Sequence, residues 1–347
     1  FLKSIIPPKT LFLGVVKAFA YGSDAVVVTK YLEKLGADYF AVAYIEEGVA
    51  LRRAGIKTPI LVLHPQPVNF RKAIEFNLEP SLYSERVLTA FVEAAAEMKQ
   101  KKFPVHVKFN TGLNRLGFQN KASKRIAFEL SKENTIKVKS IFSHLAASED
   151  SKERAFTLRQ IDLFSEICEA FETGYGKLPV RHLCNTSGVV NYPGAAFDMV
   201  RCGIGLYGYD NRIGCSSDLL PVLSLKSVIS QIHELKKGDS VGYNRAYVAD
   251  AKKTIATLPL GHADGIGRQY GNGVGYVSIQ NQKAPIVGNV CMDMIMIDVS
   301  DIDCQEGDHV VVFDAVTTAE HFAESGKTIS YEILTALSRR IKRRLVE

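Results

Sequence analysis

Residues 11–22, Leu-Phe-Leu-Gly-Val-Val-Lys-Ala-Phe-Ala-Tyr-Gly, begin a pattern that repeats along the first part of the chain. The apolar run Leu11 to Val16 predicts a buried strand, and a polar turn starts at Lys17. Apolar residues then recur at helical spacing from Ala25 to Leu35, which predicts an amphipathic helix. A buried strand followed by an amphipathic helix is the βα unit from which parallel sheets are built.

Seven more strand candidates follow at intervals of about 20 to 35 residues, the spacing of repeated βα units. They are Tyr39 to Val42, Ile60 to Leu63, Pro80 to Tyr83, Val105 to Phe109, Val138 to Phe142, Arg181 to Leu183 and Phe197 to Val200. Amphipathic stretches lie between them, among them Glu46 to Ala54, Ser84 to Lys99 and Glu153 to Phe171. The sequence therefore predicts an α/β fold with an N-terminal (β/α)8 TIM-type barrel over residues 1–217.

The pattern changes after about Leu219. The segments SLKSVISQIHEL, KTIATLPL, VGYVSIQ, PIVGNV, MIMIDVS and HVVVFD are strand-like and are separated by turn residues such as KKGD, NG and EGD. A run of strands without intervening helices predicts antiparallel pairing. We therefore expect a C-terminal β-rich domain over residues 218–347, ending in a helix from about Tyr331.

Composition narrows the class of protein. Hydrophobic residues make up 46% and charged residues 23%, the balance of a globular enzyme rather than a disordered chain. No apolar run approaches the roughly 18 residues of a membrane span, so we expect no membrane insertion. The six cysteines, which form no C-x-x-C pair, predict reduced thiols, no metal site and a cytoplasmic location. They are Cys168, Cys184, Cys202, Cys215, Cys291 and Cys304.

The net charge of +6 has one concentrated source, a basic tail near the C-terminus. Its members are Arg339, Arg340, Lys342, Arg343 and Arg344. Cations complement the dipole at the C-terminal end of a helix, so we expect a solvated helix end rather than a surface for nucleic acid or lipid.

Polar residues at the carboxyl ends of the strands are the candidates for chemistry, because active sites of TIM barrels lie there. Lys17 follows an apolar strand, and burial there would lower its pKa and favour imine formation. Taken alone, it is also consistent with an ordinary exposed lysine. Further candidates follow four later strands: Lys108, Arg115, His144, Asn185, Thr186, Arg201, Gly203 and Ile204.

The turns after the last two strands suit an anion. Thr186-Ser187-Gly188 and Gly203-Ile204-Gly205 combine hydroxyls with close backbone N–H groups, which could hold one phosphate. Residues 203–208, GIGLYG, also match the G-x-G-x-x-G pattern of dinucleotide binding. We reject that interpretation because no helix and partner strand follow to complete a βαβ unit.

Several of these segments together resemble the alanine racemases. VKAFAYG is similar to the pyridoxal-phosphate signature of that family, usually VKANAYGHG. The likeness continues in order through NTGLNRLGF, SHLA, HLCNTSGV, MVRCGIGLYG, VGYNRAYVA, LGHADGIGR, PIVGNVCMDM and YEILTALSRR. Ordered matches through both predicted domains make the resemblance specific.

The resemblance implies a pyridoxal 5'-phosphate site. Lys17 is expected to carry the cofactor as a Schiff base, and Arg201 to face its pyridine nitrogen. The other expected cofactor-binding residues are Tyr21, His144, Asn185, Thr186, Gly203 and Ile204.

It also implies racemisation of L- and D-alanine by two bases, Lys17 and Tyr243, which would supply D-alanine for peptidoglycan. Arg115 and Met292 are the expected substrate-binding residues. In this family the counterparts of Tyr243 and Met292 come from the partner subunit, so we expect a homodimer with shared active sites. Lys108 matches a lysine that is often carbamylated, although an ordinary lysine is the alternative.

Two positions depart from the family pattern. His262 stands where the family often has a tyrosine at the entrance, to which Asp264 is also assigned. Arg339 stands where some members have a phosphate-binding tyrosine. Gate size and cofactor affinity are therefore open, whereas the expected reaction type is not.

Alternative functions are a racemase of another amino acid such as serine, a fold-related pyridoxal-phosphate decarboxylase, or a non-catalytic carrier of the cofactor. A decarboxylase normally places a carboxylate at the ring nitrogen, where this chain has Arg201. A carrier would lack the domain that contains Tyr243 and Met292. The sequence is also similar to the racemase half of bifunctional proteins with an N-terminal cell-wall ligase, so such a fusion is a further expectation.

Overall fold

The computed structural model describes residues 1–210 and 218–346. The chain divides into two compact units. The first comprises Phe1–Ala20 and Asp24–Leu219, and the second comprises Tyr21–Ser23 and Leu220–Glu347.

The first unit contains an eight-stranded parallel sheet, which confirms the predicted barrel. Its strands are β1 (Leu11–Val15), β2 (Tyr39–Val42), β3 (Ile60–Val62), β4 (Glu79–Leu82), β5 (Phe103–Lys108), β6 (Ile136–Phe142), β7 (Val180–His182) and β8 (Met199–Cys202). Their order is β7-β6-β5-β4-β3-β2-β1-β8. Two backbone hydrogen bonds link the segments of β7 and β8, from Asp198 to Arg181 at 3.1 Å and from Arg201 to Cys184 at 3.0 Å. The two ends of the sheet therefore meet.

Helices follow the strands as predicted. They are α2 (Ala25–Lys34), α3 (Ile45–Arg53), α4 (Phe70–Glu75), α5 (Glu85–Glu97), α6 (Ser123–Ser131), α7 (Arg154–Tyr175) and α8 (Thr186–Asn191), and they come after a short helical turn, α1 (Lys17–Gly22). Asp24 caps α2 by accepting from Val26 and Val27 at 3.0 Å. Every residue of β2, β3 and β4 is buried, as expected where side chains on both faces of a parallel sheet are covered.

The last strand begins later than its apolar run predicts. β8 starts at Met199, because Phe197 has a φ of 50° and cannot continue an extended ladder. Its ring packs edge-on against Phe164 instead, with the ring centroids 5.1 Å apart. Arg201 consequently lies within the strand rather than beyond it.

The second unit contains the antiparallel sheet predicted for the C-terminal region. Its seven strands are β9 (Leu225–Val228), β10 (Gln231–Leu235), β13 (Lys253–Leu258), β14 (Tyr276–Ile279), β15 (Gln282–Val287), β16 (Ile295–Asp298) and β17 (His309–Phe313). Their order is β10-β13-β16-β15-β14-β17-β9. A separate hairpin pairs β11 (Ser240–Val241) with β12 (Tyr247–Val248), and two helices follow, α9 (Ala319–Ser325) and α10 (Ser330–Ala336).

The basic tail is not the helix end that its sequence predicts. The last helix, α10, stops at Ala336, because Leu337 adopts a ψ of 115° that leaves the helical region. Arg340 forms ion pairs with Asp264 and Asp293. Arg343 donates to several main-chain carbonyls, including that of Gly22. These two tail cations therefore hold loops of the second unit.

The five described cysteines are free thiols: Cys168, Cys184, Cys202, Cys291 and Cys304. Cys215 lies outside the described residues. Over residues 1–210 and 218–346, the structure contains no helix with the length and apolarity that crossing a bilayer requires.

Candidate active site

The residues after β1 form a left-handed helical turn that the sequence does not predict. Ala18, Phe19, Ala20 and Tyr21 have φ values of 52°, 57°, 52° and 54°, and Gly22 follows at 78°. Only glycine adopts this region without a steric penalty, which is about 1–2 kcal/mol for each other residue. Such strain persists where neighbouring contacts enforce it and is concentrated at functional sites. The strained turn therefore indicates that the segment beginning at Lys17 belongs to a functional site.

Glu47 supplies one of those contacts. Its Oε1 accepts from the backbone N–H of Ala18 at 2.6 Å, and its Oε2 accepts from Ala43 at 2.7 Å and Tyr44 at 3.2 Å. One carboxylate therefore joins the left-handed turn to the start of α3. Glu47 is not among the candidate residues predicted from the sequence, although its position in the first turn of α3 is a capping signal.

The structure assembles a cluster of cations around Lys17. Burial lowers the pKa of Lys17, and Arg115 lowers it further, against an opposing effect of Glu47. Lys108 ends β5 and is buried. Burial, followed by Arg201, Arg115 and Lys17, lowers the pKa of Lys108 to about 8. Such a cluster favours an anionic ligand.

Arg201 is 4% exposed and is held by five acceptors. Its Nη1 donates to Nδ1 and O of His182, both at 3.0 Å. Its Nη2 lies within hydrogen-bond distance of three acceptors, which share its two protons: the carbonyls of Ser143 at 2.7 Å and Leu183 at 2.9 Å, and Nδ1 of His144 at 3.0 Å. Burial lowers the pKa of Arg201 to about 10, so the guanidinium stays charged at neutral pH. Its position is therefore fixed by the barrel interior.

His144 stays neutral beside these cations. Burial lowers its pKa well below the ordinary value, and the charges of Arg201, Lys108, Arg115 and Lys17 add to that effect. Because Arg201 can only donate, Nδ1 of His144 is the accepting nitrogen and the ring proton is on Nε2. The imidazole can therefore offer one N–H to a neighbouring group.

The predicted phosphate residues come together at the ends of β7 and β8. Thr186 begins α8, and its Oγ1 accepts from the backbone N–H groups of Gly203 and Gly205, each at 3.2 Å. A Cβ at Gly205 would lie 2.6 Å from Cγ2 of Thr186, so only glycine permits this approach. Ile204 follows Gly203 and is buried. Thr186, Gly203 and Gly205 thus bind one another at the ends of β7 and β8, and their assignment to a phosphate stays a prediction.

Asn185 lies beside this cluster but is engaged in the fold. Its side-chain oxygen caps α8 by accepting from Gly188 at 2.8 Å, and it also accepts from Ser148 Oγ at 2.8 Å. Its predicted contact with a cofactor stays a prediction, since its carbonyl already has two donors.

The predicted partner-subunit residues lie together in the second unit. Tyr243 and Met292 line the same cavity of about 600 Å³ and are 73% and 60% exposed. Tyr21 belongs to this unit and is buried, with its ring centroid 5.8 Å from that of Tyr331. The second unit therefore carries two exposed residues, Tyr243 and Met292, on one cavity.

The two predicted entrance residues have different environments. His262 is exposed, and its backbone N–H donates to the carbonyl of Cys291 at 2.9 Å. Asp264 is buried, and its carboxylate accepts from Gly261 at 2.9 Å and from Arg340 at 2.6 and 2.7 Å. Asp264 therefore organises its own loop, and its assignment to an entrance stays a prediction. Arg339 is exposed.

Comparisons with known proteins agree over both units. The sequence profile described as "Alanine racemase, N-terminal domain" matches residues 1–211, and that described as "Alanine racemase, C-terminal domain" matches residues 222–345. "Alanine racemase 2" of Caldanaerobacter subterraneus subsp. tengcongensis is 35% identical over 99% of this chain and 90% of its own length.

Solved structures of alanine racemases are also similar to this chain. The alanine racemase of Clostridium difficile 630 has a TM-score of 0.91 and 34% identity, covering 99% of this chain and 90% of that one. The alanine racemase of Bartonella henselae, described with covalently bound pyridoxal phosphate, has a TM-score of 0.90 and 29% identity, covering 99% of this chain and 95% of that one. The chain belongs to the alanine racemase family.

Proposed function

We propose that this protein interconverts L- and D-alanine with pyridoxal 5'-phosphate bound through Lys17. The observation that carries the proposal is the position of Lys17: its amine has a lowered pKa and lies among cations at the carboxyl ends of the barrel strands. Only the neutral form of an amine attacks an aldehyde, and a lowered pKa makes that form more available than in a solvated lysine. Membership of the alanine racemase family supports the same reaction.

The donor groups present fit this cofactor. The Thr186 oxygen accepts from Gly203 and Gly205, which leaves its hydroxyl proton to donate to a phosphate. The charges of Lys108, Arg115 and Arg201 suit a ligand with several negative charges. When bound, pyridoxal phosphate withdraws electrons from the α-carbon of the amino acid attached to it. The protein then has to remove and return one proton.

Two bases on opposite faces of the α-carbon would do this. Lys17 Nζ would take or return the proton on one face, and the Oη of Tyr243 would do so on the other. We propose that Tyr243 and the backbone N–H of Met292 come from the partner subunit of a homodimer, and that Arg115 helps to bind substrate. A single base that serves one face would return the proton where it was removed.

Arg201 favours racemisation over the alternative decarboxylation. At a pyridine nitrogen a carboxylic acid would donate its proton, whereas a guanidinium forms a hydrogen bond and keeps its protons. The electron withdrawal is then weaker, which limits side reactions of the attached amino acid. A decarboxylase site, by contrast, would use the stronger acid.

We also propose that Lys108 is carbamylated. Burial and its cationic neighbours lower its pKa to about 8, which favours the neutral amine. The amine nitrogen would bond to the carbon of CO₂ and release one proton, giving an anionic carbamate. That anion would compensate the neighbouring charge of Arg115 and hold its side chain.

The physiological role we propose is supply of D-alanine for peptidoglycan in the cytoplasm. Serine is the alternative substrate, since alanine and serine differ by one hydroxyl and the strand-end residues do not discriminate between them. An N-terminal ligase in the full-length polypeptide stays a prediction from the sequence resemblance.

A chiral assay with trapping tests the proposal. Purified protein loaded with pyridoxal phosphate is offered a panel of L-amino acids, and we expect D-alanine to form fastest. Borohydride should fix the cofactor on the peptide that contains Lys17, as measured by mass spectrometry. Lys17→Ala should lose both results, whereas the surface variant Lys34→Ala should keep them. Protein that takes up no cofactor, or that carries it on another lysine, would contradict the proposal.

A further inference from the structure

A chain of hydrogen bonds runs through the interior of the barrel from Arg201 to a second charged group. Nη1 of Arg201 contacts Nδ1 of His182 at 3.0 Å, and Nε2 of His182 contacts Oγ of Ser140 at 2.7 Å. Oγ of Ser140 contacts Nδ1 of His106 at 2.5 Å, and Nε2 of His106 contacts Oε2 of Glu79 at 2.7 Å. His182, Ser140 and His106 have no exposed surface, and Glu79 is 7% exposed.

The direction of each bond follows from the Arg201 end. A guanidinium only donates, so Nδ1 of His182 must accept and its proton must be on Nε2. That proton is donated to Ser140, whose own hydroxyl proton is then donated to Nδ1 of His106. His106 therefore also carries its proton on Nε2, and it donates that proton to Glu79.

The Glu79 end requires the same direction. An ionised carboxylate only accepts, so it requires a proton on Nε2 of His106. The hydroxyl of Tyr39 also contacts Oε2 of Glu79, at 3.3 Å, as a second donor to it. Burial, followed by Arg201 and His106, holds the pKa of His182 well below its ordinary value, which agrees with a neutral ring.

Arg201 is buried, and its five hydrogen-bond partners are all uncharged. A buried cation without a counter-charge is unfavourable, so strong acceptors around it matter. Hydrogen bonds that all point the same way polarise one another, so the hydrogen-bond chain strengthens Nδ1 of His182 as an acceptor for Arg201. The charge of Glu79 itself acts on Arg52 and Tyr39.

We propose that Glu79, His106, Ser140 and His182 are positioning residues for Arg201, joined by hydrogen bonds directed from Arg201 to Glu79, with both histidines neutral and protonated on Nε2. The inference rests on the proposed function in one respect only, which is that Arg201 contacts the cofactor. The arrangement keeps an acceptor facing the guanidinium, because neither a guanidinium nor an ionised carboxylate can reverse the direction of the hydrogen bonds.

Nuclear magnetic resonance of the full chain, labelled with ¹⁵N-histidine, tests this inference without measuring activity. Two-bond ¹H–¹⁵N correlations distinguish the protonated nitrogen of each ring, and His106→Gln and His182→Gln assign the signals among the eight histidines. With and without pyridoxal phosphate, at one mildly alkaline pH, we expect both rings to be protonated on Nε2 alone. A proton on Nδ1 of either ring, or a doubly protonated ring, would overturn the proposal. Because the spectra are also recorded without cofactor, this failure is distinct from a failure to racemise alanine.

Variants of Glu79 and Arg201 test whether these two end residues set the direction of the hydrogen bonds. A glutamine side chain can donate or accept, so Glu79→Gln and Arg201→Gln each release one end and leave the other to orient the chain. Each single variant should keep both Nε2 protons, whereas the double variant should show mixed tautomers. If both rings of the double variant are still protonated on Nε2 alone, Glu79 and Arg201 do not set the direction of the hydrogen bonds. If the double variant does not fold, the wild-type spectra still decide the question.

Discussion

The backbone N–H of Ala18 donates to Oε1 of Glu47 at 2.6 Å, so a carboxylate on α3 holds the left-handed turn next to Lys17. Ala18 is the first residue of that turn with a positive φ, at 52°. The backbone conformation next to the proposed cofactor-binding lysine thus depends on a side chain 29 residues away in sequence.

Glu47→Ala should reduce stability and shift the pH dependence of cofactor uptake. The backbone N–H groups of Ala18, Ala43 and Tyr44 lose their acceptor, which should lower the free energy of unfolding by roughly 1–3 kcal/mol in urea titrations. Glu47 raises the pKa of Lys17, so its removal lowers that pKa. The rate at which cofactor-free protein takes up pyridoxal phosphate should then reach its plateau at a lower pH than in the wild type.

Glu46→Ala is the matched control. Glu46 is the preceding residue on α3, and its carboxylate forms an exposed ion pair with Lys72. Its loss should change the free energy of unfolding by less than about 0.5 kcal/mol. Equal effects of the two variants would show that Glu47 has no special part in holding the turn.

Ser140→Ala should destabilise the first unit, because Nδ1 of His106 and Nε2–H of His182 lose their shared partner. We expect the free energy of unfolding to fall by about 1–3 kcal/mol. Ser81→Ala is a matched change on β4, since Ser81 is equally buried and its hydroxyl has no hydrogen-bond partner among the described residues. That variant should be neutral or slightly stabilising. The idea that Ser140 links the two rings fails if both variants unfold at the same denaturant concentration.

Arg340→Ala should lower the melting temperature in a pH-dependent way. Burial opposes ionisation of Asp264, but hydrogen bonds from Arg340 and Gly261 outweigh it, so the pKa of Asp264 is lowered from 3.8. A carboxyl with a lowered pKa stabilises the fold above its ordinary pKa, and this is lost as the pH falls through the folded value. The difference from the wild type should therefore be full at pH 7 and should shrink as the pH falls below 3.8. A difference that does not vary with pH would argue against the ion pair, and the exposed Arg344→Ala should match the wild type throughout.

Shared active sites predict complementation between inactive variants. Co-expression of Lys17→Ala with Tyr243→Phe gives mixed dimers in which one site carries both lesions and the other carries neither. With random pairing, roughly a quarter of all sites, and about that share of wild-type racemase activity, should return. If the tyrosine acts within its own chain, every site keeps a lesion and the mixture stays inactive.

Most strands were predictable because each is a short apolar run between turn residues, as in Tyr39–Val42, which is matched residue for residue. The left-handed turn after β1 was not predictable, because Ala18 and Phe19 carry no preference for a positive φ and are held there by a distant carboxylate. The course of the tail was missed for a similar reason. Arg340 and Arg343 have partners far away in sequence, which a charge pattern does not reveal.

The candidate site was predictable as separate residues at strand ends but not as a network. His106 and Ser140 lie inside strands, where the sequence pattern indicates only a buried residue. Their pairing depends on the register of β5 and β6, which places His106 beside Ser140. Lys17 and Arg201, by contrast, lie in motifs that can be recognised in this sequence alone.

Exchange of the α-proton in deuterated water tests the two-base mechanism most directly. Wild-type protein loaded with pyridoxal phosphate should introduce deuterium into alanine starting from either enantiomer and should interconvert the two, as followed by chiral chromatography with mass spectrometry. Tyr243→Phe should keep exchange with one enantiomer only and form little of the other, because Lys17 still serves one face of the α-carbon. If Tyr243→Phe exchanges and interconverts both enantiomers at wild-type rates, the proposed pairing of Lys17 with Tyr243 is wrong.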